Sequence, residues 1–144
     1  MPPGSNTPRG LAARFQVTID GQDLGAWSSC KGLEVDFQHE TYEELGNNQF
    51  VHYFPKQAKY THITLERACT PDESSTLQSW LSKIAVQPTR GTASITLYDA
   101  NQNDVITWTL SGVFPSKWTG PQLDGGVSKM AMETLVLAHE GFLN

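Results

Sequence analysis

The stretch ASITLYDANQNDVITWTL, residues 93–110, decides the class of fold. Its first half alternates Ile95 and Leu97 with Ser and Thr, and its second half alternates Trp108 and its apolar neighbours with Thr. An apolar residue at every second position turns one face of a strand towards a core, because successive side chains of a strand point to opposite faces. The polar residues 101–103 separate the two halves. The stretch therefore predicts an antiparallel hairpin with its turn at 101–103.

The same period of two recurs on the N-terminal side of this hairpin. Residues 15–19 (FQVTI), 33–37 (LEVDF) and 63–65 (ITL) each place apolar residues at alternate positions. These stretches predict three further strands, the second of which we expect to continue towards Tyr42.

Near the C-terminus the alternation changes phase. Met130 and Met132 share one parity, whereas Leu135 and Leu137 share the other. A phase change near Glu133 predicts a bulge, or a strand that crosses between two packing environments.

One segment, TPDESSTLQSWLSKIAV, has the pattern of an amphipathic helix. Thr70 is a favourable N-cap, Pro71 suits the first helical position, and Glu73 completes a capping box. Apolar residues then recur at the spacing of one helical face, at Leu77, Trp80, Leu81 and Ile84. The pattern predicts a helix over about residues 71–86. Because it cannot bury its apolar face alone, the helix must lie on a sheet or close one end of a barrel.

Together these elements predict six or seven strands and one helix. The fold class is mainly β, an antiparallel β-sandwich or barrel with one amphipathic α-helix. We expect residues 11–144 to form a single domain, since 144 residues suit one core. Three prolines and two glycines in residues 1–10 predict a flexible N-terminal arm.

Two segments interrupt the alternation. Residues 43–59 form a long polar stretch that carries Phe50, Tyr53 and Phe54, which predicts either a docking arm or a loop folded back on its own core. Residues 114–129, FPSKWTGPQLDGGVSK, contain three glycines and two prolines. They predict a sharp turn into the C-terminal strand.

No arrangement of residues supports catalysis or cofactor binding. Gly120 and Gly125 have the separation of a phosphate-binding loop, but Gly126 and Val127 stand where Lys and Ser or Thr are needed. The four histidines lack metal-ligand spacing, and no G-x-S-x-G motif occurs. The two cysteines form no C-x-x-C pair, and we expect buried free thiols. The sequence predicts no enzyme, no cofactor and no metal.

The composition narrows the classes of partner. A net charge of −5 and the absence of a Lys/Arg run disfavour nucleic-acid binding. No apolar stretch follows Met1 and none is long enough to span a bilayer. We therefore expect synthesis and folding in a cytosol and no membrane anchor.

The strand surfaces favour association with other chains. Their outward faces carry Thr, Ser and Gln with few lysines, although monomeric β proteins usually protect their edges with charge. One dense acidic group, Glu40, Glu43 and Glu44, is interpreted either as a solvated patch or as a surface that faces basic residues of a neighbouring copy.

Several ordered motifs resemble one family. "FPSKWTGPQLDGG" followed by "MAMETLVLAHEGF" is similar to the C-terminal half of the tail tube proteins of contractile phage tails and phage-tail-like injection systems. "RFQVTIDG", "KGLEVDFQHETYEE" and "KYTHITLERA" resemble segments of the N-terminal half of the same family. The resemblance covers roughly residues 12–143.

The resemblance implies a structural subunit of a rigid inner tube, made of stacked hexameric rings around a hollow lumen. The implied partners are further copies of the chain, a contractile sheath, baseplate and spike proteins, and effector cargo or DNA in the lumen. The implied location is the bacterial cytoplasm, then a phage tail or a related particle that can be released from the cell. The expected assembly residues are Glu43, Glu44, Phe50, Tyr53, Phe54, Pro55, Lys117, Trp118, Gly120 and Pro121.

Two alternatives stay open. A tube-like baseplate or adaptor protein of the same particle would share this architecture. A monomeric β-sandwich that binds a small ligand or glycan would use Trp108 and Trp118 as stacking residues.

Overall fold

The computed structural model describes residues 14–43, 51–121 and 131–143 of the chain. Within these ranges it has nine strands and one helix. They are β1 (Arg14–Ile19), β2 (Gln22–Trp27), β3 (Ser29–Lys31), β4 (Val35–Glu43), β5 (Val51–Tyr60), β6 (Ile63–Ala68), α1 (Pro71–Val86), β7 (Gly91–Tyr98), β8 (Asp104–Thr119) and β9 (Met132–Ala138). The mainly antiparallel β fold with one helix is confirmed, as are the bounds of the helix. The predicted N-terminal arm lies outside the described residues.

Seven of the strands form a barrel. Their order is β2-β1-β7-β8-β9-β6-β3, and every pair is antiparallel. The first and last strands of this order are separated only by Ser28, whose N–H donates to the Glu66 carbonyl of β6 at 3.0 Å. The run of residues 22–31 therefore pairs with β1 at one end and with β6 at the other, which closes the sheet on itself.

The long strand β8 belongs to both halves of the barrel. Its residues up to Val113 pair with β7, and those from Phe114 pair with β9. Gly112, at φ +61°, lies where the strand changes partner. Residues 114–119 continue the strand, and the sharp turn predicted after Thr119 stays a prediction, because residues 122–130 lie outside the described residues.

Alternate residues of the strands and one face of α1 fill the core. From the helix, Leu77 and Trp80 are buried, and Leu81 and Ile84 pack at the margin of the core, so the predicted apolar face is confirmed. The strands contribute Val17, Ile19, Leu24, Trp27, Ile63, Leu65, Ala93, Ile95, Leu110, Val113, Leu135 and Leu137.

A buried ion pair joins two neighbouring strands inside this apolar core. Glu133 on β9 is 0% exposed, and its Oε2 accepts a hydrogen bond from Arg67 Nε on β6 at 2.8 Å. The register pairs these two residues directly. Ser74 Oγ on α1 donates to the same carboxylate oxygen at 2.9 Å. The carboxylate thus has partners on a strand and on the helix, as a buried charge requires.

The remaining donors of Arg67 reach two further elements. Its Nη1 donates to the Leu24 carbonyl of β2 at 2.6 Å, and its Nη2 donates to the Glu73 carbonyl of α1 at 3.1 Å. Its guanidinium carbon lies 3.9 Å from the centroid of the Trp27 ring, a cation–π distance. One side chain therefore connects β2, β6, β9 and α1.

This ion pair explains why the predicted phase change was wrong. The strand β9 pairs with β6 without a register shift, and Glu133, Leu135 and Leu137 all face the core. A charged residue occupies a core position, so the apolar pattern is broken although the strand is regular. The irregularity lies instead in β8, between Pro115 and Lys117.

The capping box was also predicted wrongly. Thr70 has the extended backbone of an N-cap, but its side chain makes no hydrogen bond to the helix backbone. Glu73 instead accepts the Ala26 N–H of β2 at 2.9 Å and the Thr70 hydroxyl at 3.1 Å. The residue that local pattern assigns to the cap therefore attaches the helix to the edge of the barrel.

Replacing Arg67 by Met is expected to destabilise the fold by about 3–5 kcal/mol, because it leaves Glu133 buried without its charged partner. The measurement is urea unfolding of chains kept below the concentration at which they associate. Arg90→Met is the matched control. It breaks the Arg90–Glu140 pair, whose side chains are 60% exposed, and should cost less than about 1 kcal/mol. An equal decrease in the free energy of unfolding in the two variants would show that the buried pair stabilises the fold no more than the exposed pair.

Gly25→Ala is expected to be more destabilising than Gly21→Ala. Both glycines have positive φ, +90° and +81°, so each alanine has a backbone cost of roughly 1–2 kcal/mol. A Cβ at Gly21 meets open space, whereas at Gly25 it would collide with the Glu73 carboxylate and come within 2.8 Å of Arg67 Nη1. Thermal unfolding of the two variants measures the difference, and an equal shift in both would show that Glu73 moves away without cost.

Candidate functional site

The β4–β5 hairpin is the largest feature outside the barrel. The two strands pair only with each other, in the described part of the chain, from Val35 opposite Tyr60 to Glu43 opposite Val51. Residues 51–59, for which a docking arm or a loop folded back on its own core was expected, form part of a strand, and the docking role stays a prediction. The sequence of this strand, VHYFPKQAKY, shows no regular alternation of apolar and polar residues, so the period of a strand could not be recognised.

Exposure on both faces distinguishes this hairpin from the rest of the sheet. Residues 36–41 are all exposed, whichever way their side chains point, and Phe37 is 66% exposed. The predicted strand is confirmed as β4, and of its alternating apolar residues Leu33 and Val35 are half-buried whereas Phe37 is exposed. A two-stranded hairpin is at best marginally stable in water. Within the described ranges the two strands of this hairpin, called the ribbon below, form a sheet of their own, separate from the seven-stranded sheet of the barrel.

The ribbon is attached to the barrel at its base. The ring of Tyr60, the last residue of β5, meets Phe142 edge-on at a centroid distance of 5.2 Å and His139 at 5.5 Å. His139 Nε2 is 2.8 Å from the Thr61 carbonyl, to which the neutral ring can donate. Burial lowers the pKa of His139, which favours this neutral form at neutral pH. Aromatic contacts and one hydrogen bond therefore hold the end of the ribbon.

The structure describes four of the predicted assembly residues in the ribbon. Glu43 pairs with Val51, and the register places Tyr53, Phe54 and Pro55 opposite Thr41, Glu40 and His39 respectively. Glu44 and Phe50 lie outside the described residues.

The acidic group is partly neutralised within the chain. Glu40 and Lys56, both exposed, form an ion pair at 2.9 Å across the two strands of the ribbon. A contact of this kind stabilises by less than about 1 kcal/mol. Glu40 therefore has a partner in its own chain, and the assignment of this group to a neighbouring copy stays a prediction.

The other four predicted residues lie at the end of β8, on the barrel. Trp118 is 37% exposed and its Nε1 donates to Glu133 Oε1 at 3.2 Å. A Cβ at Gly120 would come within 2.7 Å of this indole, so a larger residue there requires the ring to shift. Lys117 and Trp118 border a shallow groove between α1 and β8, and Pro121 follows Gly120. The predicted residues therefore belong to two separate surfaces, the ribbon and the end of β8.

Pattern reasoning missed the network beneath Trp118. Arg67 and Glu133 look like ordinary surface charges in an alternating sequence, although the quoted segments that carry the family resemblance contain both, and Glu73 was assigned only to the cap of the helix. The one available signal was the charged residue at 133, which stands in the same parity as two leucines.

The described residues offer little for catalysis. They contain no group of three or more His, Cys, Asp or Glu side chains placed to hold a metal ion. Burial raises the pKa of the Cys30 thiol to about 11, so at neutral pH it is protonated and a poor nucleophile. No helix in the described ranges is both long and apolar enough to cross a bilayer.

Comparison with known sequences decides the family. The family model of the T4-like virus tail tube protein gp19 matches residues 11–143. The chain belongs to this tail tube family. A comparison with curated proteins gives no match.

Several solved structures share the fold. A chain from the sheath/tube terminator of the PVC extracellular contractile injection system is 25% identical, with a TM-score of 0.72 over 89% of this chain and 90% of that chain. A chain from the baseplate of the anti-feeding prophage is 21% identical, with a TM-score of 0.71 over 90% and 89%. Hcp1 from Salmonella typhimurium is 14% identical, with a TM-score of 0.55 over 90% and 83%.

Trp118→Phe is expected to destabilise the isolated chain by about 1–2 kcal/mol, because it removes the hydrogen bond from the indole to the buried Glu133 carboxylate. The partly exposed position of the indole limits the loss. Trp108→Phe is the control, since within the described residues the Trp108 indole donates no hydrogen bond. Urea unfolding of dispersed chains measures both. If Trp118→Phe left stability unchanged but abolished association, the indole would serve the assembly alone.

Proposed function

We propose that this tail tube protein is the structural subunit of the rigid inner tube of a contractile injection system or a contractile phage tail. Copies form hexameric rings, and the rings stack around a hollow lumen that carries cargo. The subunit has no catalytic role. The observation that carries the proposal is the β4–β5 ribbon, whose exposed faces and apolar Phe37 need a neighbouring chain.

A head-to-tail arrangement follows from the asymmetry of the subunit. The ribbon projects from a barrel whose other surfaces have a different shape and chemistry. Contacts between unlike surfaces form a closed ring when the rotation between copies divides a full turn, and otherwise form an open helix. Family membership supports the closed hexamer and the stacking of rings.

The outside of the tube is proposed to contact a sheath. Ile84 and Ala85 of α1 and Phe114 and Pro115 of β8 line a groove on the barrel surface, and Val86 next to it is exposed. One similar chain, 24% identical, comes from a sheath-tube complex of the PVC system. We propose that this groove faces the sheath and that the ends of the tube meet baseplate and spike proteins. The particle would assemble in the bacterial cytoplasm.

The test is the state of the purified chain at rising concentration, followed by size-exclusion chromatography and negative-stain imaging. Rings and then tubes of indefinite length are expected. A variant in which Gln38 is joined to Lys56 by Asn-Gly, a favoured two-residue hairpin turn, should keep the barrel and lose the assembly.

Three results would contradict the proposal or redirect it. Single rings that never stack would favour the baseplate or adaptor role. A stable monomer that binds glycans would favour the monomeric sandwich. Full assembly by the shortened variant would show that the ribbon is not the contact on which the proposal depends.

A further inference from the structure

The ribbon is joined to the barrel by a narrow neck, which consists of residues 32–34 and residues 61–62. In the described part of the chain, no strand ladder connects the ribbon with the barrel. The Glu34 N–H donates to the Gly32 carbonyl at 2.7 Å, which turns the first segment of the neck. A Cβ at Gly32 would collide with the His62 carbonyl oxygen, so the two segments touch. The orientation of the ribbon therefore depends on contacts at this neck.

Three aromatic rings pack together at the neck. Tyr60 contacts both His139 and Phe142 edge-on, and the centroids of these last two rings are 6.2 Å apart. His139 directly follows β9, and the register of β6 and β9 places it opposite Thr61. Its hydrogen bond to the Thr61 carbonyl prolongs the pairing of these strands through a side chain. His139 thus lies on the barrel side of the joint, and Tyr60 and Thr61 lie on the ribbon side.

The two ring nitrogens of His139 have different surroundings. Because a carbonyl oxygen only accepts, Nε2 must carry the hydrogen in its 2.8 Å contact with Thr61. In the neutral ring, Nδ1 then carries none. Nδ1 is buried and has no hydrogen-bond partner among the described residues. A proton on Nδ1 would be a buried donor without an acceptor, which is unfavourable. The attached ribbon therefore favours the neutral ring.

The groups around His139 act in the same direction on balance. Burial lowers the pKa of His139 most, the Thr61 carbonyl raises it, and the positive charge of the exposed His62 lowers it again. Tyr60 contacts the ring through its own ring. Glu140, the next residue in the chain, would favour a charged imidazole, but its carboxylate pairs with Arg90 at 3.2 Å. Further charged residues line a groove with Tyr60 and His62, namely Glu34, Asp36 and Lys59.

We propose that His139 is a pH-sensitive latch, which holds the ribbon on the barrel while its ring is neutral and releases the ribbon when the ring is protonated. In the detached state both nitrogens reach water, so the ring is charged there without an unpaired buried donor. The consequence for assembly rests on the proposed function. If the ribbon is the subunit contact, tubes are held together at neutral pH and loosen in acid.

The direction of the effect with pH follows from the lowered pKa of His139. A detached chain takes up the proton near the ordinary histidine pKa of 6.5, whereas an attached chain does so only at lower pH. Attachment is therefore complete above about pH 6.5 and weakens as the pH falls below that value. Between pH 8 and pH 5, one such group raises the ratio of detached to attached ribbon by at most about 30-fold.

The first test is a titration of the histidine rings by NMR in dispersed wild-type chains. The His139 signals are assigned from their contacts with the rings of Tyr60 and Phe142. His139 should titrate below pH 6.5, and the Tyr60 ring signals should shift with the same midpoint as the ribbon detaches. A His139 ring that titrates at pH 6.5 or above would overturn the proposal. This measurement requires no variant to fold.

Hydrogen exchange of dispersed chains tests the release itself. A hairpin of two strands is marginal alone, so amides of β4 and β5 should lose protection at pH 5 relative to pH 8, by up to about 30-fold after correction for intrinsic rates. Amides of β7 should stay protected. His139→Gln keeps a donor for the Thr61 carbonyl but cannot be charged, and should show no such loss. His62→Gln is the matched control and should show it. An equal loss in His139→Gln would overturn the proposal.

Assembled chains test the consequence for the tube. Particles formed at pH 8 are shifted to pH 5 and followed by light scattering. Wild-type particles should dissociate, and particles of His139→Gln should persist. Wild-type particles as stable at pH 5 as those of His139→Gln would overturn this consequence. A wild-type chain that stays dispersed at pH 8 would contradict the proposed function, whereas the titration and exchange of dispersed chains would still decide whether His139 is the latch.

Discussion

The buried pair between Arg67 and Glu133 is the constraint on which the rest of the structure depends. A charge inside an apolar core is tolerated only when its partners are fixed in position. Here those partners come from β2, β6, β9 and α1, so the pair sets how the helix sits against the barrel. Trp118 extends the same network to the surface at the end of β8.

This network also decides which edges of the sheet remain for other chains. At β2, the Leu24 carbonyl accepts a hydrogen bond from Arg67 and the Ala26 N–H donates to Glu73, so these backbone groups are not available to another strand. The ribbon and the first half of β8 receive no such partner in the described residues. A chain that satisfies one edge internally and leaves two others open is suited to directional self-association, since the contact cannot form between any two edges at random.

Some of the structure could be predicted from short-range pattern and some could not. The 93–110 hairpin and the helix were predicted because apolar residues at every second position indicate a strand face towards the core, and apolar residues at a spacing of 3.6 indicate the buried face of a helix. The capping box was predicted wrongly because the Glu73 carboxylate accepts a hydrogen bond from β2, a strand distant in the sequence. The strand β4 was predicted from the alternation of residues 33–37, but β5 was missed because residues 51–60, VHYFPKQAKY, show no regular alternation of apolar and polar residues. The assembly role of the residues of the ribbon and of the end of β8 stays a prediction, and the sequence did not show that these residues lie on two separate surfaces.

The sequence alone determined the period of β1, β4, β6, β7 and the first half of β8, the bounds of the helix and the family, because these depend on neighbouring residues and on ordered motifs. Only the tertiary structure decided that Glu133 is a core residue, that residues 22–31 close the barrel and that β8 changes partner at Gly112. Those features depend on which groups meet across many residues of chain. A buried carboxylate destabilises the fold when no guanidinium pairs with it and is tolerated when one does. No local sequence pattern shows which of the two applies.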